Sequence, residues 1–327
     1  MAKSQDGDSW KVQIQRQKER LLAASSLFIQ RCQRAFSFNK PAAVIGRFFC
    51  HFSMASAPSA TTPAVLVQPG KPLRLADIDP ANNEPFDHKK KVDKRLDELR
   101  EQLSDYQEKL YAEHHRSLLL VFQAMDTGGK DGAIRVLLTG VNPAGVEVAA
   151  FKQPSSEELN HDFLWRIHQR TPGRGHIGVF NRSHYEDVLV TRVHGLVEPF
   201  VWQQRYQDIV HFEQLLTHSG TRILKFFLHI SKEEQATRLQ ARLDNPKKRW
   251  KFEPGDLKER QLWEGYQVAY QEALAATSTA ECPWYVIPAN DKRARDLAIA
   301  EIVVAALAEM HPKPPAATFD VAAQVII

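Results

Sequence analysis

The sequence predicts an α/β fold in which helices cover both faces of a parallel sheet. Three observations support this prediction. Five short apolar runs have the character of strands, helix-length segments separate them, and a glycine-rich loop joins the first run to the next helix. Strands that are buried on both faces are apolar throughout, as these runs are. The 327 residues are enough for one large α/β domain with appendages or for two small domains.

The predicted strands and helices alternate along the chain. Strands are expected at residues 118–125, 146–151, 176–181, 222–230 and 284–289. Helices are expected at about residues 130–139, 156–170, 200–218, 232–243, 257–277 and 292–310. Ligands of open α/β sheets bind at the carboxyl ends of the strands, so we expect a site at that edge.

The first part of the chain has a different composition. Residues 1–53 contain 9 Lys+Arg and 3 Asp+Glu, with no acidic residue after Glu19. This stretch resembles an organellar transit peptide, or else upstream sequence that precedes a true start at Met54. The Pro/Ala/Thr-rich residues 55–70 favour the second alternative, because such a composition suits a disordered start. We expect residues 1–67 to be a disordered or misassigned extension outside the fold.

A charged helix is predicted to begin the folded domain, which we place at residues 68–311 with a C-terminal tail at residues 312–327. This helix is expected over residues 87–116. Its apolar residues recur every three or four positions and form one stripe: Val92, Leu96, Leu99, Leu103, Tyr106 and Leu110. The stripe predicts a helix that packs on the outside of the domain.

Charge and cysteine content argue against several classes of protein. After residue 53 the chain holds 34 Lys+Arg and 36 Asp+Glu, a balance that argues against bulk nucleic-acid binding. No apolar run approaches the ~20 residues of a membrane span. Cys32, Cys50 and Cys282 are widely spaced and form neither a disulfide framework nor a zinc pattern, so we expect a reducing cytoplasm.

The segment DTGGKDG (126–132) has the position and composition of a phosphate-binding loop. A glycine-rich turn between a strand and a helix surrounds one point with backbone N–H groups, and the helix dipole adds positive potential there. Lys130 stands where a P-loop lysine reaches phosphate oxygens. Gly128, Gly129 and Gly132 supply the tight turns.

Two carboxylates distinguish this loop from the usual P-loop. Asp131 stands where a Ser or Thr is usual, and Asp126 adds a second acid. Mg²⁺ prefers such oxygens together with the phosphates of a substrate. Asp131 has an alternative role as a helix N-terminal acid that the helix dipole stabilises.

More charged residues cluster around the third predicted strand. Asn181 replaces the aspartate that holds Mg²⁺ through water in ordinary P-loop enzymes, and Arg182, Glu186 and Asp187 follow it. Arg166 precedes the strand and either binds the ligand or belongs to a solvated helix face.

A basic turn lies between two predicted helices near the end of the sequence. It contains Lys247, Lys248, Arg249, Trp250 and Lys251, bounded by Pro246 and Pro254. A cation-rich helical hairpin near a phosphate loop suits a closing lid, because it supplies charge to a moving phosphoryl group and excludes water. A solvated surface turn is the alternative. We place the lid at about residues 231–265.

Five motifs in this order resemble those of the family-2 polyphosphate kinases, over about residues 68–311. They are DTGGKDG (126–132), GVNPAGVEV (140–148), FKQPSSEELNHDFLWRIH (151–168), GVFNRSHYEDVLVTRVHG (178–195) and DNPKKRWKF (244–252). The resemblance implies a P-loop kinase-like core with a helical lid, similar to thymidylate kinase. It also implies Mg²⁺-dependent transfer of phosphoryl groups between inorganic polyphosphate and nucleotides, by a homotetramer.

The resemblance also implies roles for individual residues. Asp126 matches a loop aspartate near the metal and the acceptor phosphate, Lys130 the loop lysine, and Arg182 the arginine after the third strand. The basic lid positions are matched by Arg242, Lys248 and Lys251.

One departure from a common class of the family concerns the third strand end. That class has Asp-Arg-Ser-Trp-Tyr there, whereas this chain has Asn-Arg-Ser-His-Tyr at residues 181–185, followed by Glu186 and Asp187. The variant resembles the class that accepts nucleoside mono- and diphosphates. Because Asn181 is not a carboxylate, we assign the second metal ligand to Asp187.

The expected protein is therefore a cytoplasmic polyphosphate:nucleotide phosphotransferase that acts on AMP or ADP, with GMP and GDP as further candidates. Asp126 and Asp187 are predicted to hold Mg²⁺, with Mn²⁺ as an alternative, and Lys130 and Arg182 to act with them in catalysis. The predicted binding residues are Gly128, Gly129, Asp131, Gly132, Glu186, Arg166, Arg242, Lys248 and Lys251. Neither nucleic acid nor membrane is an expected partner.

Two other functions share part of this evidence. An ATP-dependent nucleoside monophosphate kinase would have the same core and would differ in its phosphoryl donor. A nucleotide-binding module without turnover is disfavoured, because such a module needs no lid that excludes water. Net direction, choice of base and preferred polyphosphate length stay open at this point.

Overall fold

One six-stranded sheet organises the part of the chain that the computed structural model describes, which is residues 62–86, 88–321, 323–324 and 326. The strands are β1 (Val65–Leu66), β2 (Ser117–Ala124), β3 (Val146–Ala150), β4 (Ile177–Asn181), β5 (Thr221–His229) and β6 (Trp284–Pro288). Their order in the sheet is β1-β6-β5-β2-β4-β3. The five predicted strands are confirmed, each to within about two residues at its ends.

The centre of the sheet is parallel. β2 pairs with β4 and β5, so that Leu120 lies opposite Val179 on one side and Leu224 on the other. β3 pairs with β4 and β5 with β6 in the same direction, whereas β1 is antiparallel to β6. Every residue of β2, β5 and β6 is buried. Strands buried on both faces explain the continuous apolar runs in the sequence.

Helices cover the sheet in two groups. The helices of the described residues are α1 (Lys89–Glu113), α2 (Lys130–Leu137), α3 (Ser156–Leu159), α4 (Trp165–His168), α5 (Glu186–Val193), α6 (Pro199–His218), α7 (Lys232–Asp244), α8 (Gly255–Gln261), α9 (Trp263–Thr277) and α10 (Lys292–Met310). One group consists of α1, α2 and α10, the other of α5, α6 and α9. α10 packs on β5 and β6, and α6 packs on β5. The predicted α/β fold is confirmed.

The predicted apolar stripe is the buried side of α1. Val92, Leu96, Leu99, Leu103 and Leu110 are buried, Tyr106 is partly buried, and Gln107 joins them. α1 packs against α10, as expected for a helix on the outside of the domain. The first residue of its predicted span, residue 87, lies outside the described residues.

The predicted start of the fold is wrong by several residues. Val65 and Leu66 form strand β1, and the Val67 N–H donates a hydrogen bond to the Trp284 carbonyl oxygen at 2.9 Å. Ala64 and Val67 are buried in the core. Residues 62–67 therefore belong to the fold, because they cover the edge of β6. Residues 1–61 of the predicted extension lie outside the described residues.

Several helical segments also differ from the prediction. The single helix expected over residues 156–170 is two short helices, α3 and α4, and the capping box that Ser155 forms with Glu158 begins the first of them. α5 was not predicted. In the lid segment α7 is confirmed, a short 3₁₀ helix at Arg249–Lys251 was not predicted, and the single helix expected over residues 257–277 is divided into α8 and α9. No helix in the described residues is long and apolar enough to cross a membrane.

Candidate active site

The phosphate loop, residues 126–132, connects β2 to α2 in a conformation that glycine makes possible. The Gly128 N–H donates to the Met125 carbonyl oxygen at 2.9 Å, which closes a tight turn. A Cβ on Gly128 would collide with the side chain of Ala124. Gly129, at the N-cap of α2, has φ +98°, which is unfavourable for other residues. The loop therefore leads directly into the N-terminus of α2, where an anion is favoured.

Side chains of α7 hold the phosphate loop through its carbonyl groups. Gln235 Nε2 donates to the Asp126 carbonyl oxygen at 3.0 Å. Arg238 Nη1 donates to the carbonyl oxygens of Thr127 and Gly128, each at 3.1 Å. These bonds fix the backbone of the loop before any ligand arrives. Pre-organisation of this kind saves the free energy of ordering the loop during the reaction.

The buried side chain of Arg238 connects α7 to the phosphate loop and to the end of β6. Its Nη2 donates to the Ala289 carbonyl oxygen at 2.6 Å, just after β6, and its Nε donates to Glu234 Oε1 at 2.7 Å. α7 is thus attached at Arg238 both to the phosphate loop and to the end of β6. The first part of the predicted lid, 231–265, is therefore hydrogen-bonded to the phosphate loop and to the end of β6.

Lys130 is buried at the start of α2. Its Nζ donates to the Ala124 carbonyl oxygen at 3.0 Å. Burial lowers the pKa of the Lys130 ammonium and the Arg182 guanidinium lowers it further, while Asp126 opposes both effects. The ammonium therefore lies where one more negative group, such as a phosphate, would stabilise it.

Arg182 and Asp126 form an ion pair beside Lys130. Arg182 Nη2 donates to Asp126 Oδ1 at 2.9 Å. The backbone of Arg182 has φ +62°, a left-handed conformation that is strained for a residue with a Cβ. Its N–H donates to the Phe122 carbonyl oxygen at 3.1 Å, which ties the residue to β2. Strained backbone of this kind persists only where its surroundings hold it.

Two further polar contacts complete the carboxyl ends of β2 and β4. Asn181 Nδ2 donates to Asp131 Oδ1 at 2.6 Å, which joins the end of β4 to the phosphate loop. With its amide turned to satisfy both neighbours, Gln123 donates to Glu186 Oε1 at 3.0 Å. Burial raises the pKa of Glu186, although Arg182 and Lys130 act in the opposite direction.

A cleft of about 840 Å³ lies over these residues. Nine basic side chains line it: Lys130, Arg135, Lys152, Arg182, Arg238, Arg242, Lys248, Lys251 and Lys292. Four acidic side chains line it: Asp126, Asp131, Glu253 and Asp256. The cleft is thus strongly basic although the chain outside residues 1–53 is not, which is the electrostatic signature of a site for a polyanion.

Comparison with known proteins identifies the family. Residues 87–315 match the model of the family described as Polyphosphate kinase 2 (PPK2). The chain belongs to this family. It is 52% identical over 256 residues to the AMP/ADP-polyphosphate phosphotransferase of Meiothermus ruber, covering 77% of this chain and 96% of that protein. It is 47% identical over 230 residues to the ADP-polyphosphate phosphotransferase of Rhodopseudomonas palustris, covering 67% of this chain and 80% of that protein.

A solved structure supports the same assignment. Polyphosphate Kinase 2 from Arthrobacter aurescens TC1 superposes with a TM-score of 0.77 and 42% sequence identity, covering 83% of this chain and 96% of that one. The family and the enzyme class predicted from the sequence are therefore confirmed: the chain is a polyphosphate kinase 2 with the P-loop kinase-like α/β fold of that family.

Most of the predicted site residues of this polyphosphate kinase 2 lie together. The cleft is lined by Asp126, Gly128, Gly129, Lys130, Asp131, Gly132, Arg182, Arg242, Lys248 and Lys251. Glu186 is buried close to Arg182, Lys130 and Asp126, and all three charged groups act on its pKa. Three predicted residues, Glu186, Arg166 and Asp187, do not line the cleft.

Asp187 and Arg166 contact each other. Arg166 Nη2 lies 3.5 Å from Asp187 Oδ2, and Arg205 Nη1 lies 3.9 Å from Asp187 Oδ1. Arg166 Nη1 donates to the Lys152 carbonyl oxygen at 2.8 Å, and only 6% of the Arg166 side chain is exposed. This arrangement does not favour a metal shared by Asp126 and Asp187. Instead, Arg166 binds the backbone of the segment after β3 that carries Lys152, and Asp187 holds Arg166 in place.

Several cleft residues were not predicted. Arg135 lies on α2, Lys152 follows β3, Lys292 begins α10, and Asp256 lies on α8. Lys152 and Lys292 follow strands of the parallel sheet, so the rule that ligands bind at the carboxyl ends of strands could have indicated both. Arg135 and Asp256 carry no such signal in the sequence.

The lid turn, residues 245–254, is tied to α7 and α8 by its backbone. Arg242 Nη1 donates to the Lys251 carbonyl oxygen at 3.0 Å and lies 3.3 Å from Asp256 Oδ2. Burial raises the pKa of Asp256, and Asp126 raises it further. The Lys251 ammonium lies over the ring of Trp250, which is 77% exposed. The lid turn thus presents its ammonium groups to the cleft without burying them.

The oxygen ligands in the cleft suit Mg²⁺ only in combination with a substrate. The described residues contain no group of three or more His, Cys, Asp or Glu side chains that could hold a metal ion. Asp126 and Asp131 nevertheless place carboxylates beside the phosphate loop. Mg²⁺ is commonly bound by one or two carboxylates, several waters and substrate phosphates, so these residues fit that ion.

Proposed function

We propose that this cleft transfers phosphoryl groups reversibly from inorganic polyphosphate to AMP and ADP, with GMP and GDP as further candidate acceptors. The observation that carries the proposal is the excess of basic side chains, nine against four acidic ones, around a phosphate loop in one cleft of about 840 Å³. A linear polyanion needs positive charge along its whole length, which one phosphate loop cannot supply. The names of the two relatives from Meiothermus ruber and Rhodopseudomonas palustris support polyphosphate, AMP and ADP among these substrates.

The reaction is an in-line displacement at phosphorus. An oxygen of the acceptor's terminal phosphate forms a bond to the terminal phosphorus of polyphosphate, and the bond from that phosphorus to the bridging oxygen breaks. The bridging oxygen leaves with its electron pair as the new terminus of a chain shorter by one unit. The attacking oxygen is already ionised, so the residues need to provide positioning and charge rather than a strong base.

Lys130 and Arg182 are the cations closest to this exchange. Lys130 offers a buried ammonium at the N-terminus of α2, where oxygens of the transferred group can also accept bonds from backbone N–H groups. Arg182 faces it across Asp126, at the end of β4. Fixed positive groups of this kind stabilise the charge that spreads over the phosphoryl oxygens in the transition state.

We propose that Asp126 is the principal protein ligand for Mg²⁺, with Asp131 as the second carboxylate. When bound, Mg²⁺ would neutralise phosphate oxygens of donor and acceptor. Asp126 holds Arg182 at 2.9 Å, so one carboxylate orients the arginine and offers a free lone pair to the ion. Mn²⁺, which accepts the same oxygen ligands, is the expected substitute.

The proposal is tested by separating the donor from the acceptor. Purified protein is supplied with Mg²⁺ and AMP or ADP, together with either polyphosphate or ATP, and the nucleotide products are separated by chromatography. We expect ADP and ATP to form from polyphosphate. Product formed from ATP and AMP but not from polyphosphate would contradict the proposal and favour a nucleoside monophosphate kinase.

Location and assembly remain predictions. We expect a cytoplasmic homo-oligomer, and the family resemblance implies a tetramer. Light scattering on the purified protein measures the mass of the assembly, to be compared with multiples of the 37.2 kDa chain. A mass of one chain across a range of concentrations would contradict the tetramer.

A further inference from the structure

A cluster of charged and polar side chains is buried in the protein and does not line the cleft. Lys225 on β5 is 0% exposed and Glu213 on α6 is 1% exposed. Lys225 Nζ donates to Glu213 Oε2 at 2.6 Å, to the Thr277 carbonyl oxygen at 2.8 Å and to the Tyr185 hydroxyl oxygen at 3.0 Å. The phosphate-transfer chemistry proposed above uses none of these groups.

Tyr185 connects this cluster to the chain between β4 and α5. Its hydroxyl donates to Glu213 Oε1 at 2.8 Å, and its ring packs edge-on against Trp284 with centroids 4.7 Å apart. His184 Nε2 lies 3.3 Å from the same Glu213 oxygen. Three elements, β5, α6 and α9, thus meet at one short connection, since Thr277 belongs to α9.

The charges in the cluster are mutually compensated. Burial acts to raise the pKa of Glu213, but Lys225 and His184 outweigh it and the pKa lies below its ordinary value. Burial and the neighbouring Glu213 raise the pKa of Tyr185 well above its ordinary value. The cluster is therefore an ion pair between Lys225 and Glu213, with the Tyr185 hydroxyl hydrogen-bonded to both partners.

The residues on either side of this connection belong to the site. Arg182 and Glu186 flank Ser183, His184 and Tyr185, which are at most 1% exposed. Arg182 has a strained backbone with φ +62° and needs surroundings that hold it. We infer that the buried residues between Arg182 and Glu186 hold it in this conformation, since the Tyr185 hydroxyl is hydrogen-bonded to Glu213 of α6, Thr277 of α9 and Lys225 of β5.

We propose that Lys225, Glu213 and Tyr185 form a positioning network that holds Arg182 and Glu186 in place for phosphoryl transfer. The proposal rests on the function proposed above. A buried ion pair can also serve stability alone, and breaking one partner leaves an uncompensated charge. The test therefore has to cut the network without breaking the ion pair.

Tyr185→Phe does this, because it keeps the aromatic ring and the Lys225–Glu213 pair and removes the hydroxyl. We expect kcat to fall about ten- to a hundredfold, because a small displacement of a catalytic group has effects of that size. The Michaelis constants for polyphosphate and AMP should change less than about twofold, because the loss occurs in the transition state. Circular dichroism at rising temperature measures the stability of the same samples.

The matched control lies on α10, at a contact with β5 that does not line the cleft. Glu309→Gln removes the carboxylate that lies 3.4 Å from Arg222 Nη2, at the amino end of β5 and away from the cleft. We expect Glu309→Gln to leave kcat at the wild-type value, whatever thermal stability it shows, because its carboxylate does not contact the segment between Arg182 and Glu186. If kcat follows the loss of stability equally in both variants, or if Tyr185→Phe has the kcat of the wild type, the network serves stability alone and the inference is wrong.

Amide hydrogen exchange tests the same inference without turnover. Peptides that cover residues 181–187 should exchange faster in Tyr185→Phe and at the wild-type rate in Glu309→Gln. Unchanged exchange in Tyr185→Phe would overturn the positioning role. If wild-type protein makes no product from polyphosphate, the proposed function fails on its own, and the exchange rates still decide whether the network holds this segment.

Discussion

The phosphate loop and the lid turn line the same cleft but are held in opposite ways. Gln235 and Arg238 hold the backbone of the loop by hydrogen bonds, and the side chain of Lys130 is only 9% exposed. The lid turn is exposed along most of its length, and within the described part of the chain neither Lys248 nor Lys251 forms an ion pair. The two regions therefore suit different tasks, with charge in a fixed position at the loop and charge that can move at the lid.

The difference has an energetic consequence. A buried, pre-organised cation acts in a low-dielectric environment, where one contact to developing charge changes the rate by large factors. An exposed cation is screened by water and salt and contributes less per contact. We expect variants of the loop to change kcat strongly, and variants of the lid turn to change donor affinity moderately.

The largest effect is expected at the loop lysine. Lys130→Ala should lower kcat by about 10²- to 10³-fold, because it removes a fixed charge from the site of phosphoryl transfer. Circular dichroism should show an unchanged fold. Lys109→Ala, which removes a lysine from the exposed surface of α1, is the control and should retain wild-type kcat. Near-normal turnover by Lys130→Ala would remove this lysine from the mechanism.

Variants of two aspartates distinguish a ligand of the metal from a residue that only supports the site. Asp126→Asn should lower kcat about a hundredfold and raise the Mg²⁺ concentration needed for half-maximal activity, because it weakens the ligand and frees Arg182. Asp187→Asn should leave that Mg²⁺ concentration unchanged, since its carboxylate contacts Arg166 and Arg205. Turnover is measured against Mg²⁺ concentration for both. An equal shift in both variants would restore Asp187 as a metal ligand.

The burial of Lys130 also predicts a pH dependence. The Lys130 amine must be protonated to attract phosphate. Burial lowers the pKa of Lys130 below that of an ordinary lysine. As pH rises through that lowered pKa, kcat/KM should fall about tenfold per pH unit. In Lys130→Arg the guanidinium stays protonated at such pH values, so the alkaline fall should disappear even if overall activity is lower. The same fall in both proteins would assign it to another group.

The fold was predictable because its pattern is local. Apolar runs located five strands, and three of them, β2, β5 and β6, are buried along their whole length, since a strand that is covered on both faces has no polar side. Strand β1 was not predicted, because two residues in a Pro/Ala-rich segment carry no periodicity and only the edge of β6 makes them a strand. The site loop was predictable for a related reason, since its glycines and lysine are adjacent in the sequence.

The orientation of helical residues was not predictable in the same way. Glu186 and Asp187 are neighbours at the start of α5, and successive residues of a helix point about 100° apart. Only the packing of α5 determines that Glu186 faces Arg182 while Asp187 faces Arg166. Arg166 is buried on the short helix α4 for the same reason, although its sequence context suggested a ligand or solvent contact.

The smallest predicted effect concerns the lid turn and is the most direct test of the difference between the two regions. Replacing Lys248 and Lys251 by Gln should raise the Michaelis constant for polyphosphate about three- to tenfold, because two exposed charge contacts are lost. It should also reduce the salt dependence of that constant, since screening acts on exposed charges over about 8 Å at physiological ionic strength. The Michaelis constant for AMP should change less.

The lid turn offers its own control. Lys247 lies in the same turn and Lys258 on α8, and neither lines the cleft. The double variant Lys247→Gln with Lys258→Gln removes the same charge from the lid and should leave the donor constant and its salt slope as in the wild type. Steady-state kinetics at several salt concentrations, with donor and acceptor varied separately, compares the two double variants. If the Lys248/Lys251 variant loses affinity for AMP and keeps the donor constant, the lid turn binds the nucleotide, and the division between a fixed loop for chemistry and a mobile lid for the donor is wrong.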